Sequence, residues 1–401
     1  MNIFFSVGEP SGDLHGANLI RELKQRRPDW KMVGYGGPRM QQAGCELHTD
    51  LTQFAVMWLL QVILNYHKFR ALVKRAERYF AEQSPDAVVL IDYPGFNWHI
   101  AKAAKKHGVP VFYYGAPQLW GWAGWRVKKM RRWVDHVLVK LPFEEPWYRD
   151  RGCNATYLGH PYFDELRAQQ LDQDFVRKRR ASGPLVTILP GSRTQEVRSN
   201  LAAQLQAAEK VRQSTPGVRF AVAVFKQSQV ALVETELAKS GVEAEVHVGR
   251  TPELIHAATC CLAVSGSVSL ELLFHTKPTA IVYQVSPLAF FVQKFFRRVR
   301  YITLVNLLTA DELFPAEVGV YDPEDPRDAH VLMPEYLTCQ DPTDKLARHL
   351  THWLTDDDAR DALVARMAVL KEQIGRGGAS VRAAEYVVNT LDPSGGLREA
   401  A

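Results

Sequence analysis

The sequence predicts an α/β protein built from two parallel-sheet domains, and three observations lead there. Short β-rich runs alternate with helix-period segments through most of the chain. Most of these runs are continuously apolar, as in Ala87-Val-Val-Leu-Ile91, which is the pattern of strands covered on both faces. The rhythm stops between Pro161 and Pro184, a stretch with the basic run Arg177-Lys-Arg-Arg180, and restarts at Leu185. At 401 residues the chain also exceeds one ordinary core, so a doubled Rossmann-like plan follows.

In the first half, strands are expected at 3–7, 31–35, 86–91, 110–114, 136–140 and 155–158, with helices between them. The second set is expected at 185–189, then near 219–224, 244–248, 260–264 and 279–285. From Asp344 the chain reads as helical, with Leu346, Leu350, Trp353 and Leu354 on one face. A last helix, Ser380 to Leu391, follows the break at Gly375–Gly378. The expected domains are therefore 1–165 and 185–345, with C-terminal helices over 346–391 and a polar tail over 392–401.

Composition narrows the class. There are 49 basic and 44 acidic residues, a net charge of +5, too mild an excess to argue for nucleic acid. The five cysteines show no C-x-x-C pair and no zinc spacing, which suits buried thiols in a reducing compartment. No basic leader precedes the strand-like Ile3 to Val7, and the longest apolar run, Phe54 to Leu64, is well short of the roughly 20 residues of a spanning helix. A cytoplasmic protein without a transmembrane segment is expected.

Ligands of such sheets sit at the carboxyl ends of the strands. Four strand exits are polar or Gly-rich: Gly8-Glu-Pro-Ser-Gly-Asp13, Asp92-Tyr-Pro-Gly-Phe-Asn97, Pro190-Gly-Ser192-Arg193 and Ser265-Gly266-Ser267. Two fall in each expected domain, so the expected active site is a cleft between them. At the last exit Ser267 is placed to cap a helix opening near Val268, whose unpaired amides and dipole suit a diphosphate. Glu271, one turn on, suits the hydroxyls of a ribose. An ordinary strand-to-helix turn with a surface glutamate is the alternative. Arg193 can hold a diphosphate bidentately, and Glu196 lies where its helix begins; a solvated arginine at a helix start is the plainer reading. Neither motif is a Walker A loop or G-x-G-x-x-G.

Asp92 ends the most apolar strand, where a carboxylate suits removal of a proton from an attacking hydroxyl; capping of nearby amides is its alternative. His15, His99 and His160 read as hydrogen-bonded structural residues. Two segments join apolar or aromatic groups to cations, as an interfacial helix on anionic lipid does. The first holds Leu59, Leu60, Val62 and Ile63 and is followed by Lys68, Arg70, Lys74, Arg75 and Arg78. The second holds Phe290, Phe291, Phe295 and Phe296 with Lys294, Arg297, Arg298 and Arg300. A core-packed amphipathic helix is the alternative for each. Trp120-Gly-Trp122-Ala-Gly-Trp125 and the following Arg126 offer rings for a sugar face and cations for a phosphate.

These motifs, in this order, resemble the lipid-A-disaccharide synthase family. The matching pieces are Gly8-Glu9-Pro-Ser11-Gly12-Asp13, Gly37-Pro-Arg-Met40, Ile91-Asp92-Tyr-Pro-Gly95-Phe-Asn97, Trp120-Gly-Trp122, Leu141-Pro-Phe-Glu144, Gly159-His-Pro161, Leu189-Pro-Gly-Ser-Arg193, Ser265 to Glu271 and Asn306-Leu-Leu308. The resemblance implies a GT-B glycosyltransferase whose C-terminal helices pack back toward the first domain. It implies inverting transfer of 2,3-diacylglucosamine from UDP-2,3-diacylglucosamine to 2,3-diacylglucosamine 1-phosphate, giving a β-1′,6 disaccharide and UDP. No metal or cofactor is implied. Asp92 takes the role of base; Ser192, Arg193, Glu196, the Ser265–Ser267 turn, Glu271 and Asn306 surround UDP. Glu9, Ser11, Gly12, Asp13, Asn97, Trp120, Trp122 and Arg126 fall on the acceptor side. The implied location is peripheral, on the cytoplasmic face of the inner membrane, with a homodimer left open. Two positions depart from the family: Gly95, where many members carry a second acid, and Ala123, where a basic residue usually follows the Trp pair. The rival functions are a UDP-sugar 2-epimerase-like enzyme and a non-catalytic nucleotide- or lipid-binding protein.

Overall fold

A computed structural model describes residues 1–54 and 66–393. Leu59, Leu60, Val62 and Ile63 lie outside the described residues. The chain forms two compact units, Met1–Glu165 with Arg376–Ala401, and Leu166–Gly375.

The first unit is built on a parallel seven-stranded sheet: β1 (Asn2–Val7), β2 (Lys31–Gly36), β3 (Glu46–Asp50), β4 (Ala87–Ile91), β5 (Val111–Tyr114), β6 (His136–Val139) and β7 (Ala155–Tyr157). The order is β3-β2-β1-β4-β5-β6-β7. The chain winds outward from β1, then returns to pair β4 on the other side, with Phe5 opposite both Gly34 and Val89. The β1/β4 boundary is thus a topological switch point, where helices leave in opposite directions and a crevice opens at the carboxyl ends. Phe5, Val7, Val89 and Ile91 are wholly or almost wholly buried in the core.

The second unit repeats the plan with six strands: β8 (Leu185–Leu189), β9 (Arg219–Val224), β10 (Glu245–Val248), β11 (Cys260–Val264), β12 (Thr279–Gln284) and β13 (Glu335–Thr338). Their order is β10-β9-β8-β11-β12-β13, with the switch point between β8 and β11. Cys260 and Cys261 are buried in β11 as free thiols.

Eleven of these strands fall where the apolar runs place them; β3 and β13 do not. Both are edge strands with only one neighbour, so Glu46-Leu-His-Thr-Asp50 and Glu335-Tyr-Leu-Thr338 lack a continuous apolar run. The stretch expected as a plain connection holds the helices Tyr162–Ala168 and Gln173–Ala181, the latter capped by the Asp172 carboxylate at Phe175 N.

The C-terminal helices correct the expected layout. Only the last, Ala379–Leu391, belongs to the first unit, where Ala383, Ala384, Val387 and Val388 join Ile3, Leu19 and Leu23 in the core. Asp164 fixes its start, accepting from Gly378 N (2.5 Å) and Ser380 N (3.0 Å). The helices Thr343–Thr355 and Asp357–Ile374 belong to the second unit, where Leu346, Leu350 and Trp353 pack with Val186 and Leu205. All three helices read alike in sequence, since an apolar stripe does not name the core it will cover.

Candidate active site

Asp92 follows β4 at the first switch point, in a turn that sequence alone does not reveal. Asp92 and Tyr93 both have left-handed backbones, φ +48° and +44°. Each conformation costs on the order of 1 kcal/mol for a residue with a side chain, so it persists only where neighbours enforce it. Asn97 enforces it: its amide donates to Asp92 O (2.8 Å), Ile91 O (3.2 Å) and Ser6 O (3.2 Å), and accepts from the Ser6 hydroxyl (2.7 Å). The Tyr113 hydroxyl donates to the same Asp92 carbonyl at 2.7 Å. Asn97 is wholly buried and is a brace for the Asp92 turn, which corrects its expected place against the acceptor.

The other first-unit candidates divide similarly. Asp13 turns inward, accepting from Gly37 N, Arg39 N and Met40 N at 2.9–3.1 Å, so it fixes the helix Pro38–Gln42 instead of facing a ligand. Trp120 is also buried, its indole donating to Glu144 at 2.9 Å. Glu9 and Ser11 stay at the open start of the helix Pro10–Arg26. Gly12 lets that helix approach the end of β1 and the turn after β4, since a Cβ there would lie 2.9 Å from Val7 and 3.4 Å from the Asp92 carboxylate. Among the described residues nothing lies within 4 Å of a Cβ placed on Gly95, so none of them fills the place where the resemblance expects a second acid. Trp122 and Trp125 are exposed and meet edge to face at 6.4 Å, with the Arg126 guanidinium 5.0 Å and 5.8 Å from their ring centres. That is an exposed aromatic and cationic cluster.

Sequence reasoning missed Lys140. It follows β6, and its ammonium lies 3.6 Å from the Asp92 carboxylate. The signal was present, since a charged residue ends an apolar strand there as Asp92 ends β4. Burial lowers His15 to about 4 and pushes His160 well below its usual value, so both stay neutral near pH 7.

In the second unit, Arg193 and the Ser265–Ser267 turn leave β8 and β11, the two strands of its switch point. At the start of the helix Thr194–Ser214 the Glu196 carboxylate accepts twice from Arg193, from its backbone N at Oε2 (3.0 Å) and from its guanidinium at Oε1 (3.1 Å). The Arg193 side chain is 80 % exposed, which leaves the rest of the guanidinium open to a ligand. Gly191, at φ +118°, is required here because a Cβ would stand 2.6 Å from that of Glu196. Ser192 is exposed and accepts from Gln229 through its carbonyl at 3.1 Å. Beside Glu196 opens a cavity of about 550 Å³ lined by Asn200, Tyr283, Gln284, Ser286 and Cys339.

Ser267 stands at the start of the helix Val268–Phe274 but is already helical and makes no side-chain cap, which corrects that expectation. Ser269 bonds Gly266 O instead (2.9 Å), and Ser265 donates to Ile302 O (2.8 Å). Gly266 and Ser267 are exposed; Glu271 is buried, which removes the surface-glutamate alternative.

Asn306 is also buried, and its amide is committed within the unit. It donates to Met333 O (2.7 Å) and Glu335 (2.9 Å) and accepts from Met333 N (3.1 Å). Its expected contact with UDP is corrected accordingly: it steadies the loop beside the Ser265 turn. Glu335, unsuspected in the sequence, completes this by accepting from Ile302 N (2.7 Å) and Thr303 N (2.9 Å). Burial raises its carboxyl to about 7 from 4.5. The folded state then holds that proton more tightly than the unfolded chain, so this group's contribution to stability falls as pH rises from about 4.5 to 7. Glu335→Ala, which strands three donors, is expected to cost about 3 kcal/mol in urea denaturation; an unchanged midpoint would remove this role.

The helix Pro287–Phe296 has no buried residue. Leu288, Phe291 and Phe295 are 73 %, 59 % and 65 % exposed, and with Val292 and Phe296 they recur at helical spacing. A core-packed helix is therefore excluded for this segment. Phe290 is half-buried under Lys294, and Arg298 is exposed. Arg297 is not available to lipid, since it donates to Arg300 O (3.1 Å) and Gly319 O (2.7 Å). Arg300 is buried against Asp328 at 2.6 Å.

Two parallel sheets, each with polar groups gathered at its switch point, define a two-Rossmann GT-B protein. The fold agrees with solved structures: a putative UDP-N-acetylglucosamine 2-epimerase of Listeria monocytogenes (TM-score 0.65, 12% identity, covering 98% of this chain and 97% of that one) and the calicheamicin glycosyltransferase CalG4 (TM-score 0.56, 14% identity, 97% and 98%). The lipid-A-disaccharide synthetase family model matches residues 3–332. The lipid-A-disaccharide synthase of Trichlorobacter lovleyi is 33% identical over 400 residues, 98% of each chain. The chain belongs to the lipid-A-disaccharide synthase family and is a glycosyltransferase. The epimerase likeness, at 12% identity, is one of fold alone.

Proposed function

We propose that the chain joins a diacylglucosamine from its UDP derivative to a diacylglucosamine 1-phosphate, with Asp92 as base in the first unit and the nucleotide held by the second. The observation that carries this reading is Asp92 itself, fixed by Asn97 and Tyr113 in a strained turn at a sheet switch point. Strain of that kind, held by dedicated partners, is usual where a side chain must be aimed. Asp92 takes the proton of the acceptor 6-hydroxyl as its oxygen bonds to the anomeric carbon. The bond from that carbon to the diphosphate breaks from the opposite face, inverting the centre, and UDP leaves with the electron pair. The exposed Arg193 guanidinium and the amides after Gly266 meet the charge that develops on UDP. Mass spectrometry of the lipid formed from the two substrates tests the reading; absence of the disaccharide 1-phosphate overturns it.

The nucleotide seat carries its own expectation. Arg193→Ala should weaken UDP binding by about 10–100-fold, the scale of one charge-assisted hydrogen-bond pair of roughly 1.5–3 kcal/mol. Its fold should be retained, because Glu196 still bonds the backbone of residue 193. Calorimetry with UDP reads this directly, and unchanged affinity would move the diphosphate elsewhere.

The exposed stripe of Leu288, Phe291, Val292, Phe295 and Phe296, beside Lys294 and Arg298, supports a peripheral seat on an anionic membrane. Among the described residues no helix is long and apolar enough to cross a membrane. A substrate with acyl chains gives such a stripe a purpose; an enzyme acting on a soluble nucleotide sugar needs none.

A further inference from the structure

Resting on the assignment of Asp92 as the base, we propose that Lys140 is a positioning residue for it, an ammonium that holds the Asp92 carboxylate in the orientation from which it accepts the acceptor's proton. Four observations converge. The Lys140 ammonium lies 3.6 Å from the carboxylate, and the two side chains are only 15 % and 21 % exposed. A pair so far withdrawn from water is screened less than a surface pair. Among the described residues no hydrogen bond reaches the Asp92 carboxylate; Asn97 and Tyr113 hold only its backbone. The turn is thus fixed while the carboxylate can still rotate, and Lys140 is placed to stop it.

The backbone of Lys140 is itself fixed. The buried Glu144 carboxylate accepts from Lys140 N and Leu141 N, both at 3.0 Å, and its other oxygen takes the Trp120 indole. This ties the exit of β6 to the segment that carries the Trp122 and Arg126 cluster. Nor do the neighbouring groups duplicate the charge. His15 and His160 both feel the Lys140 charge but stay neutral near pH 7, and the Asp164 carboxylate is taken up by the start of the last helix. Base catalysis needs the accepting oxygen within hydrogen-bond reach of the hydroxyl, so a carboxylate that rotates away loses turnover without losing substrate.

The test is a double-mutant cycle in the full chain: wild type, Lys140→Met, Asp92→Asn and both together. Lys140→Met is expected to lower kcat by ~10–100-fold, the scale of a lost orientation, with both KM values and the melting temperature close to wild type. Lys140→Arg should recover much of that kcat, and Lys140→Met should cost nothing further once Asp92 is Asn. A purely structural lysine would lower the melting temperature and show the same loss in both backgrounds, which overturns the proposal. So does an acceptor KM that rises at constant kcat, which would make Lys140 a contact for the acceptor's phosphate. Lys140→Gln, which keeps length and polarity, replaces Met if that variant does not fold. If Asp92→Asn keeps wild-type turnover, the base assignment falls and this one with it; if only Lys140→Met is silent, the base stands and Lys140 is excluded.

Discussion

Asp92→Asn is expected to lower turnover by about 10²–10⁴-fold, the usual scale of a lost general base, while UDP binding stays near wild type. The substitution is well matched to the question because it should leave the turn intact. Residue 92 sits at φ +48°, and asparagine is among the few residues with a side chain that accept the left-handed region readily. The backbone carbonyl held by Asn97 and Tyr113 is unchanged. What is lost is the ability to take a proton. Near-wild-type turnover would end the assignment, and lost UDP affinity would place Asp92 against the donor.

Replacing both Phe291 and Phe295 by Ser should reduce binding to anionic liposomes by about 10²–10³-fold, since burying each ring in lipid contributes roughly 2 kcal/mol. The fold should tolerate it, because both rings are mostly exposed, at 59 % and 65 %, and meet edge to face at 5.2 Å. Lys294 and Arg298 add on the order of 1 kcal/mol each near anionic headgroups, lost as salt screens them. High salt should therefore release the wild type only in part. Unchanged liposome binding in a variant that melts normally would show that this helix is not the anchor.

How much of this was legible depended on which physical signal each residue left in the chain. Strands covered on both faces announce themselves as unbroken apolar runs, and β1, β4, β8 and β11 were placed within a residue or so. The edges β3 and β13 leave no such run. Asp92 stood out because an acid ends an apolar strand, and the same signal at Lys140 was absorbed into the strand. Motif residues are harder to sort. Asp13, Asn97 and Trp120 belong to the same short motifs as Glu9, Asp92 and Trp122, yet they turn inward and hold structure in shape, as Asn306 does from a motif of its own. Sequence order cannot separate a residue that meets the ligand from one that fixes the residue that does. Glu335 is the extreme case, since its partners lie about thirty residues earlier and none is a local signal.

The return of the last helix to the first unit has a consequence for synthesis. Residues 1–165 reach the ribosome's exit first, yet Leu19, Leu23 and Ile3 are covered by Ala383, Ala384 and Val387 only after the rest of the protein has been made. The Asp164 carboxylate likewise waits for the amides of Gly378 and Ser380. The second unit, Leu166–Gly375, is continuous and has all of its strands and helices before that point. Domains tend to fold as they emerge. Here the half that begins first carries an open apolar face through translation and closes it last, so nascent chains stalled before Ala379 are the ones that would expose it.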